Sequence, residues 1–278
     1  MKFRSLLSIS IAACSVFAGM AASPLLLAAE GPQEEALTMA EPLRRDDSFK
    51  LPAGQAIQVD NAYGSVYLRF GGYEDQLDIR STVQQPEGAA TIAFQPAARD
   101  GRFEVVPQLP NGVALAQGQR IDLVLYVPKD HPLIVRTGFG VIESRGVKSD
   151  IDLGTDTGDI AVRGTDGTVQ ARTSEGKIEV TFEGTARPGS VQRLGSRTGN
   201  ISVIVSDTLD AEVRLSTSQQ FATDYSLDVE HLDGKEPNKI ATAVVGKPKS
   251  GKDKAQVVLE SLVSEIRLQR RGVFVDPE

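Results

Sequence analysis

Four aspartates, Asp150, Asp152, Asp156 and Asp159, fall within ten residues, and carboxylates at that density could serve calcium or a paired-carboxylate glycosidase. Alternation puts Asp150 and Asp152 on the solvent face of one strand, while Asp156 and Asp159 fall at a turn, so solvated polar faces account for all four. Repeated Gly-Asp calcium loops do not occur here. The two histidines, His131 and His231, have no metal-like partner at short spacing and read as exposed loop residues. Gly246 to Lys252 has phosphate-loop glycine spacing, but Asp253 stands where Ser or Thr is required and Pro248 interrupts the loop. No acid, base and substrate clamp converge on one face, so no catalytic residue, metal or cofactor is expected.

Binding chemistry has two candidates. Val66, Leu68 and Phe70 share one face of a strand, which leaves Ser65, Tyr67 and Arg69 on the other, with Tyr63 in the preceding turn and Tyr73 beyond. Tyrosines beside an arginine have the composition of an interaction hot spot, and rings that merely cover a neighbouring loop are the alternative. Tyr63, Tyr67, Arg69 and Tyr73 are therefore the candidate binding residues. The second candidate is residues 231–255, read as a mobile loop, where Lys235, Lys239, Lys247, Lys249, Lys252 and Lys254 are opposed by Glu236 and Asp253. Such a segment could touch anionic lipid or an anionic envelope polymer, or simply be solvated.

The elements that must position these residues are repeats. Ile151, Leu153, Thr155, Gly158, Ile160 and Val162 spell strand, corner, strand, with apolar residues at period 2 on either side of a hydroxyl and a glycine. The same grammar recurs at Leu133, Val135, Thr137, Gly140, Ile142 and at Val169, Ala171, Thr173, Gly176, Ile178, Val180. Looser copies are Ile57 to Leu68 around Gly64, Leu194 to Val203 around Gly199, Val213 to Ala222 with Gln220 in the glycine slot, and Val257 to Leu268 with Ser264 there. The glycines and Thr137, Thr155 and Thr173 are expected to form tight corners, with positive φ at Gly158 and Gly176. Units this short cannot bury a core alone and must stack.

The 278-residue chain is 40% hydrophobic and carries a formal net charge of -7, which disfavours nucleic acid as a partner. Residues 1–29 read as a cleaved secretory signal: Lys2 and Arg4 precede an apolar run from Leu6 to Phe17 and then a stretch rich in small residues. The only cysteine, Cys14, lies inside that run in a sequence similar to a lipoprotein box, although the run continues past it. Residues 30–49 read as a polar linker, 50–270 as the β-repeat domain, and 271–278 as a tail. No transmembrane segment is expected after signal removal.

The run Ile121 to Gly146, followed by TDTGDIAV at 155–162 and TSEGKIEV at 173–180, resembles the bacterial putative-adhesin family of β-strand-repeat proteins. The resemblance extends over Ala56 to Leu268. It implies a right-handed, parallel β-helix-like solenoid in the cell envelope, with no known activity, cofactor or catalytic residue. On physical grounds the alternative is a β-sandwich of hairpins, but hairpins do not demand the constant 18-residue step of Gly140, Gly158 and Gly176. The sequence thus reads as an all-β, exported module of the periplasm or cell surface that binds an envelope protein or surface polymer without catalysis. A carbohydrate-active β-helix enzyme and a sensing partner for envelope signalling are the alternatives.

Overall fold

Alternating inward aliphatic residues fix the architecture, because each strand can bury its apolar side only against a second sheet. The computed structural model describes residues 37–71 and 75–272. The expected signal segment, most of the polar stretch before Leu37, Tyr73 and the end of the tail lie outside the described residues. Among those described, 21 strands occur. The first seven are β1 (Leu43–Lys50), β2 (Ile57–Asn61), β3 (Val66–Phe70), β4 (Gln76–Gln84), β5 (Ala97–Arg99), β6 (Arg102–Val105) and β7 (Arg120–Val127). The repeats then give β8 (Leu133–Phe139), β9 (Ile142–Arg145), β10 (Ile151–Thr157), β11 (Ile160–Arg163), β12 (Val169–Glu175), β13 (Ile178–Phe182), β14 (Val191–Ser196) and β15 (Ile201–Val205). Last come β16 (Ala211–Thr217), β17 (Phe221–Thr223), β18 (Asp228–His231), β19 (Lys239–Val245), β20 (Ala255–Ser261) and β21 (Ile266–Arg270).

The chain is all-β, with one sheet of ten strands and one of eleven. The two strands of each repeat enter different sheets, so the Thr-to-Gly segment is a corner between sheets rather than a hairpin turn. Within the second sheet β2, β8, β10, β12, β14, β20 and β16 pair in parallel, and within the first sheet β3, β9, β11, β13, β15, β21 and β17 do the same. All seven repeats are therefore coils of one stack. Register follows the 18-residue step: Ile160 pairs with Ile142 on one side and Ile178 on the other, and all three are fully buried. The longer step from Gly176 to Gly199 leaves this register intact, since Ile178 still pairs with Ile201 and Val180 with Val203. The additional residues lie between β13 and β14, outside the ladders.

At the corner, backbone approaches backbone. A Cβ at Gly158 would overlap the carbonyl oxygen of Gly140, one at Gly176 the carbonyl of Gly158, and one at Gly199 the carbonyl of Gly176. Gly158 and Gly176 also hold φ of +152° and +150°. Beside them runs a buried polar column of Asn61, Thr137, Thr155, Thr173, Ser196, Ser261 and Thr217. Thr173 Oγ1 donates to the Gly158 carbonyl (3.0 Å), Ser196 Oγ to Gly176 (2.9 Å), Ser261 Oγ to Gly199 (3.0 Å) and Thr217 Oγ1 to Ser264 (2.6 Å). Each hydroxyl ties its coil to the corner of a neighbour. Ser264 and Gln220 stand without glycine at the β20–β21 and β16–β17 corners, where the glycine column has ended.

Several expectations need correction. Part of the supposed 30–49 linker is β1, an exposed edge strand antiparallel to β4; its polar sequence hid it because only one flank is covered. The supposed mobile loop at 231–255 contains β19, antiparallel to β16, whose Ala241, Ala243 and Val245 point inward, small residues that a count of lysines overlooks. After β15 the spatial order departs from the sequence, because β20 and β21 slot between β14–β15 and β16–β17. His131, expected to be exposed, is fully buried: Nδ1 donates to the Gln55 carbonyl (2.8 Å) and Nε2 faces Asp75 (3.4 Å). A ring buried there is tolerable because its Nδ1–H is met by a backbone carbonyl.

The stack predicts three measurable effects. Ile160→Ala lowers unfolding stability by about 2 to 5 kcal/mol in denaturant melts, as truncation of a buried aliphatic does. Gly158→Val costs more than about 1 kcal/mol, since the new side chain meets the Gly140 carbonyl and a positive φ; an unchanged melt would contradict the corner geometry. Thr173→Val loses about 1 kcal/mol with its hydrogen bond to Gly158, whereas Thr155→Val is neutral or stabilising, because the buried Thr155 Oγ1 has no partner among the described residues. Equal losses at the two threonines would refute that distinction.

Candidate functional site

Outward-facing side chains on successive coils also stack into columns, so a surface feature one residue wide extends along the whole array. On the outer face of the second sheet this produces a groove of about 950 Å³. It crosses β2, β8, β10, β12, β14 and β20, a length of about 24 Å at the usual separation between neighbouring strands. One column is Asp60, Arg136, Gly154, Arg172, Gly195 and Glu260, each the register partner of the next. Across the buried corner column, Ala62, Gly138, Asp156, Ser174, Arg197 and Leu262 form the other side. Tyr63, Val106, Pro107 and Gln108 lie at the β2 end.

Two glycines shape the floor. Arg136 folds over Gly154, donating to the carbonyls of Val135 (3.0 Å) and Asp152 (2.9 Å) and pairing with the Asp152 carboxylate (2.8 Å). A Cβ at Gly154 would stand 3.0 Å from Arg136 Cδ, so the glycine makes room for that arginine. At Gly195 the nearest atom to such a Cβ is Arg172 Cγ at 3.9 Å, an ordinary contact, so this part of the floor is less crowded than at Gly154. Glycine inside a strand weakens it, and an open one marks a place where something can approach closely.

Beyond the groove, the same face carries a second column in which Gln170, Arg193, Val258 and Arg214 are successive partners on β12, β14, β20 and β16. Arg172, Arg193, Arg197 and Arg214 are all exposed, and unlike Arg136 none of them forms an ion pair or donates a side-chain hydrogen bond among the described residues. This arginine strip was not among the sequence candidates. Its signal was present: Arg136-Thr137 and Arg172-Thr173 place an arginine directly before the corner threonine in two copies.

The tyrosine candidates divide between faces. Tyr67 and Arg69 lie on the outer face of the first sheet, with the guanidinium 5.7 Å from the Tyr67 ring centre. Glu143 pairs with Arg69 at 2.7 Å, so that arginine's charge is already met. Tyr63 instead turns to the groove on the second sheet, its amide donating to Asn61 Oδ1 (3.2 Å). Tyr73 lies outside the described residues. Sequence alternation joined Tyr67 to Arg69 correctly but could not show that the corner after Asn61 carries Tyr63 to another face.

The four aspartates serve separate partners. Asp150 Oδ1 accepts the Thr168 amide (2.7 Å) and pairs with Arg187 (3.0 Å); Asp159 Oδ1 accepts the Lys177 amide (2.9 Å). Asp152 holds Arg136, and Asp156 is exposed in the groove. Among the described residues no group of three or more His, Cys, Asp or Glu side chains could hold a metal ion. Of the lysines, Lys254 pairs with Glu212 (2.6 Å) and Lys239 donates to the Gln219 carbonyl (2.5 Å), which ties both to the stack.

Perturbed titrations occur away from the groove. The hydrogen bond to Glu179 raises the Lys177 ammonium above its ordinary value. Burial is the main cause that raises the Tyr225 phenol, whose hydroxyl donates to Asp207 (3.0 Å) beneath the guanidinium of Arg270. Only the Lys177 shift arises mainly from local pairing.

No family model matches the chain. No curated protein matches it either. Two solved structures align with the chain. One, from Clostridium sporogenes, is described as a putative cell adhesion protein; it is 13% identical, with a TM-score of 0.46, and the alignment covers 83% of this chain and 100% of that one. The other, from Bacteroides fragilis, is described as a putative adhesin; it is 10% identical, with a TM-score of 0.41, covering 83% of this chain and 97% of that one.

Proposed function

We propose that this chain is an adhesin-like binding module of the bacterial cell envelope, built as a short β-solenoid and using the groove of the second sheet as its contact surface. Residues 1–29 act as its export signal and deliver it to the periplasm or cell surface. The observation that carries this reading is the groove itself, whose lining residues repeat in register across six strands. The backbone positions that carry these side chains are fixed by strand pairing before any ligand arrives, which limits the ordering cost of binding to the side chains themselves. The Tyr67–Arg69 patch supports a contact less well, because Glu143 already answers its charge.

The test is retention of the purified protein on immobilised envelope glycans, with released reducing sugar measured in the same samples. Wild type is expected to be retained without product. Gly195→Trp, whose Cβ would meet no atom closer than 3.9 Å, is expected to lower retention about tenfold or more with little change in melting temperature, whereas Tyr67→Ala is expected to retain wild-type binding. Unaltered retention of Gly195→Trp removes the groove from the proposal, and sugar release replaces the binding module with an enzyme.

A further inference from the structure

The arginine strip, which runs from the groove (Arg172, Arg197) to the column beside it (Arg193, Arg214), adds a chemical class to that face. Arg193 and Arg214 flank Val258 and so stand two strands apart; Arg136 and Arg172 flank Gly154 in the same way, although Arg136 is already paired with Asp152. Twice the separation of neighbouring strands is about 9.5 Å. Arg172, Arg193, Arg197 and Arg214 are exposed on a chain of net charge -7 without an ion pair among the described residues. Among the described residues most other exposed arginines are matched, as Arg145 is by Glu143 (2.6 Å), Arg187 by Asp150 (3.0 Å), Arg267 by Glu265 (2.7 Å) and Arg270 by Asp207 (3.3 Å), while Arg44, Arg99 and Arg163 are not. The concentration of unmatched guanidinium groups along β12, β14 and β16 is therefore a local feature, and it borders an open glycine floor.

Resting on the groove reading above, we infer that the ligand is an extended acidic polysaccharide whose carboxylates recur on alternate sugar units. Guanidinium groups take carboxylates in two-pronged hydrogen bonds, and alternate units of such a chain set their charges far enough apart to meet arginines on alternate strands. A flat ring can lie on Gly195, which has no side chain of its own and is bordered by Arg172. A peptide strand is disfavoured because the backbone groups of these strands are committed to neighbours on both sides, which leaves nothing for strand addition. Nucleic acid is disfavoured because its phosphates are dense, about one charge per 1.7 Å of duplex axis, and would press against Asp60 and Glu260 at the ends of the column and Asp156 on the opposite side of the groove. The acidic residues thus select for sparse charge while the arginines select for its sign.

The probe is a fluorescent oligosaccharide in which glucuronate alternates with N-acetylglucosamine, followed by anisotropy against the full protein. Its methyl ester, poly-glutamate and a single-stranded oligonucleotide of matched length are the comparisons. The glycan is expected to bind, the ester to bind about tenfold or more weakly, and the triple variant Arg172→Gln, Arg193→Gln, Arg214→Gln to lose about tenfold or more at an unchanged melting temperature. Rising salt weakens binding, since exposed charges are screened over about 8 Å at physiological ionic strength. Failure of the glycan to bind, equal affinity of the triple variant, or poly-glutamate or oligonucleotide binding as tightly as the glycan each overturns the inference. Should the triple variant still be retained on envelope glycans while Gly195→Trp is not, this ligand class falls and the groove stands; should Gly195→Trp be retained as well, both fall.

Discussion

The distance of closest approach between corner backbones governs this molecule. Stacked coils can keep the regular separation of paired strands only if the corner of one coil lets the next settle onto it. At Gly140, Gly158, Gly176 and Gly199 the neighbouring coil's carbonyl or backbone lies where a Cβ would be, so glycine is required by contact and not only by turn conformation. Thr173, Ser196, Ser261 and Thr217 then satisfy corner carbonyls that the sheet ladders do not reach. Buried carbonyls left unmet would cost about 1 to 3 kcal/mol each, so the polar column is a condition of stacking rather than an exception to the apolar core. The aliphatic ladders on either side follow from the spacing that the corner sets.

This dependence explains what could be read from sequence. All seven copies were legible because each must carry apolar alternation, a polar corner residue and usually glycine, and each proves to be one coil. Their order in space was legible only while the chain climbed without interruption. From β15 onward two coils, β16–β17 and β20–β21, could each have occupied the next place, and nothing local to either repeat decides between them. Antiparallel additions were harder still. β19 offers only Ala241, Ala243 and Val245 to the core, and β1 is an edge whose outer flank faces water, so neither shows the strong alternation of a central strand. Those additions cap the stack, covering ladder edges that would otherwise template association.

The candidate site was less legible for a different reason. Residues of the groove are distant in sequence, and their proximity depends on register between coils rather than on any local motif. Tyr67 and Arg69 were joined by period-2 alternation within a single strand, which is local. The union of Arg136 with Arg172, or of Arg193 with Arg214, needs parallel pairing, and for the second pair it also needs the inserted β20 between β14 and β16. A column across a stack is a property of the array. It becomes visible only when the register is known.

Net charge and local charge then act over different ranges. A chain of formal charge -7 repels a polyanion at long distance, yet charges further apart than about 8 Å are largely screened at physiological salt. Within that distance of β12 and β14 a ligand meets Arg172, Arg193 and Arg197, while Glu212 is occupied by Lys254 and Asp152 by Arg136. The two acidic partners are thus neutralised where they stand, and the local field along the strip is set by guanidinium groups that have nothing else to hold. The remaining acidic surface keeps dense polyanions away, and with the backbone fixed by strand pairing only the arginine side chains need ordering when a sparse one arrives. An acidic protein can in this way be selective for an anion, provided some cations are kept unpaired on one face while neighbouring carboxylates such as Asp152 and Glu212 are held by other partners.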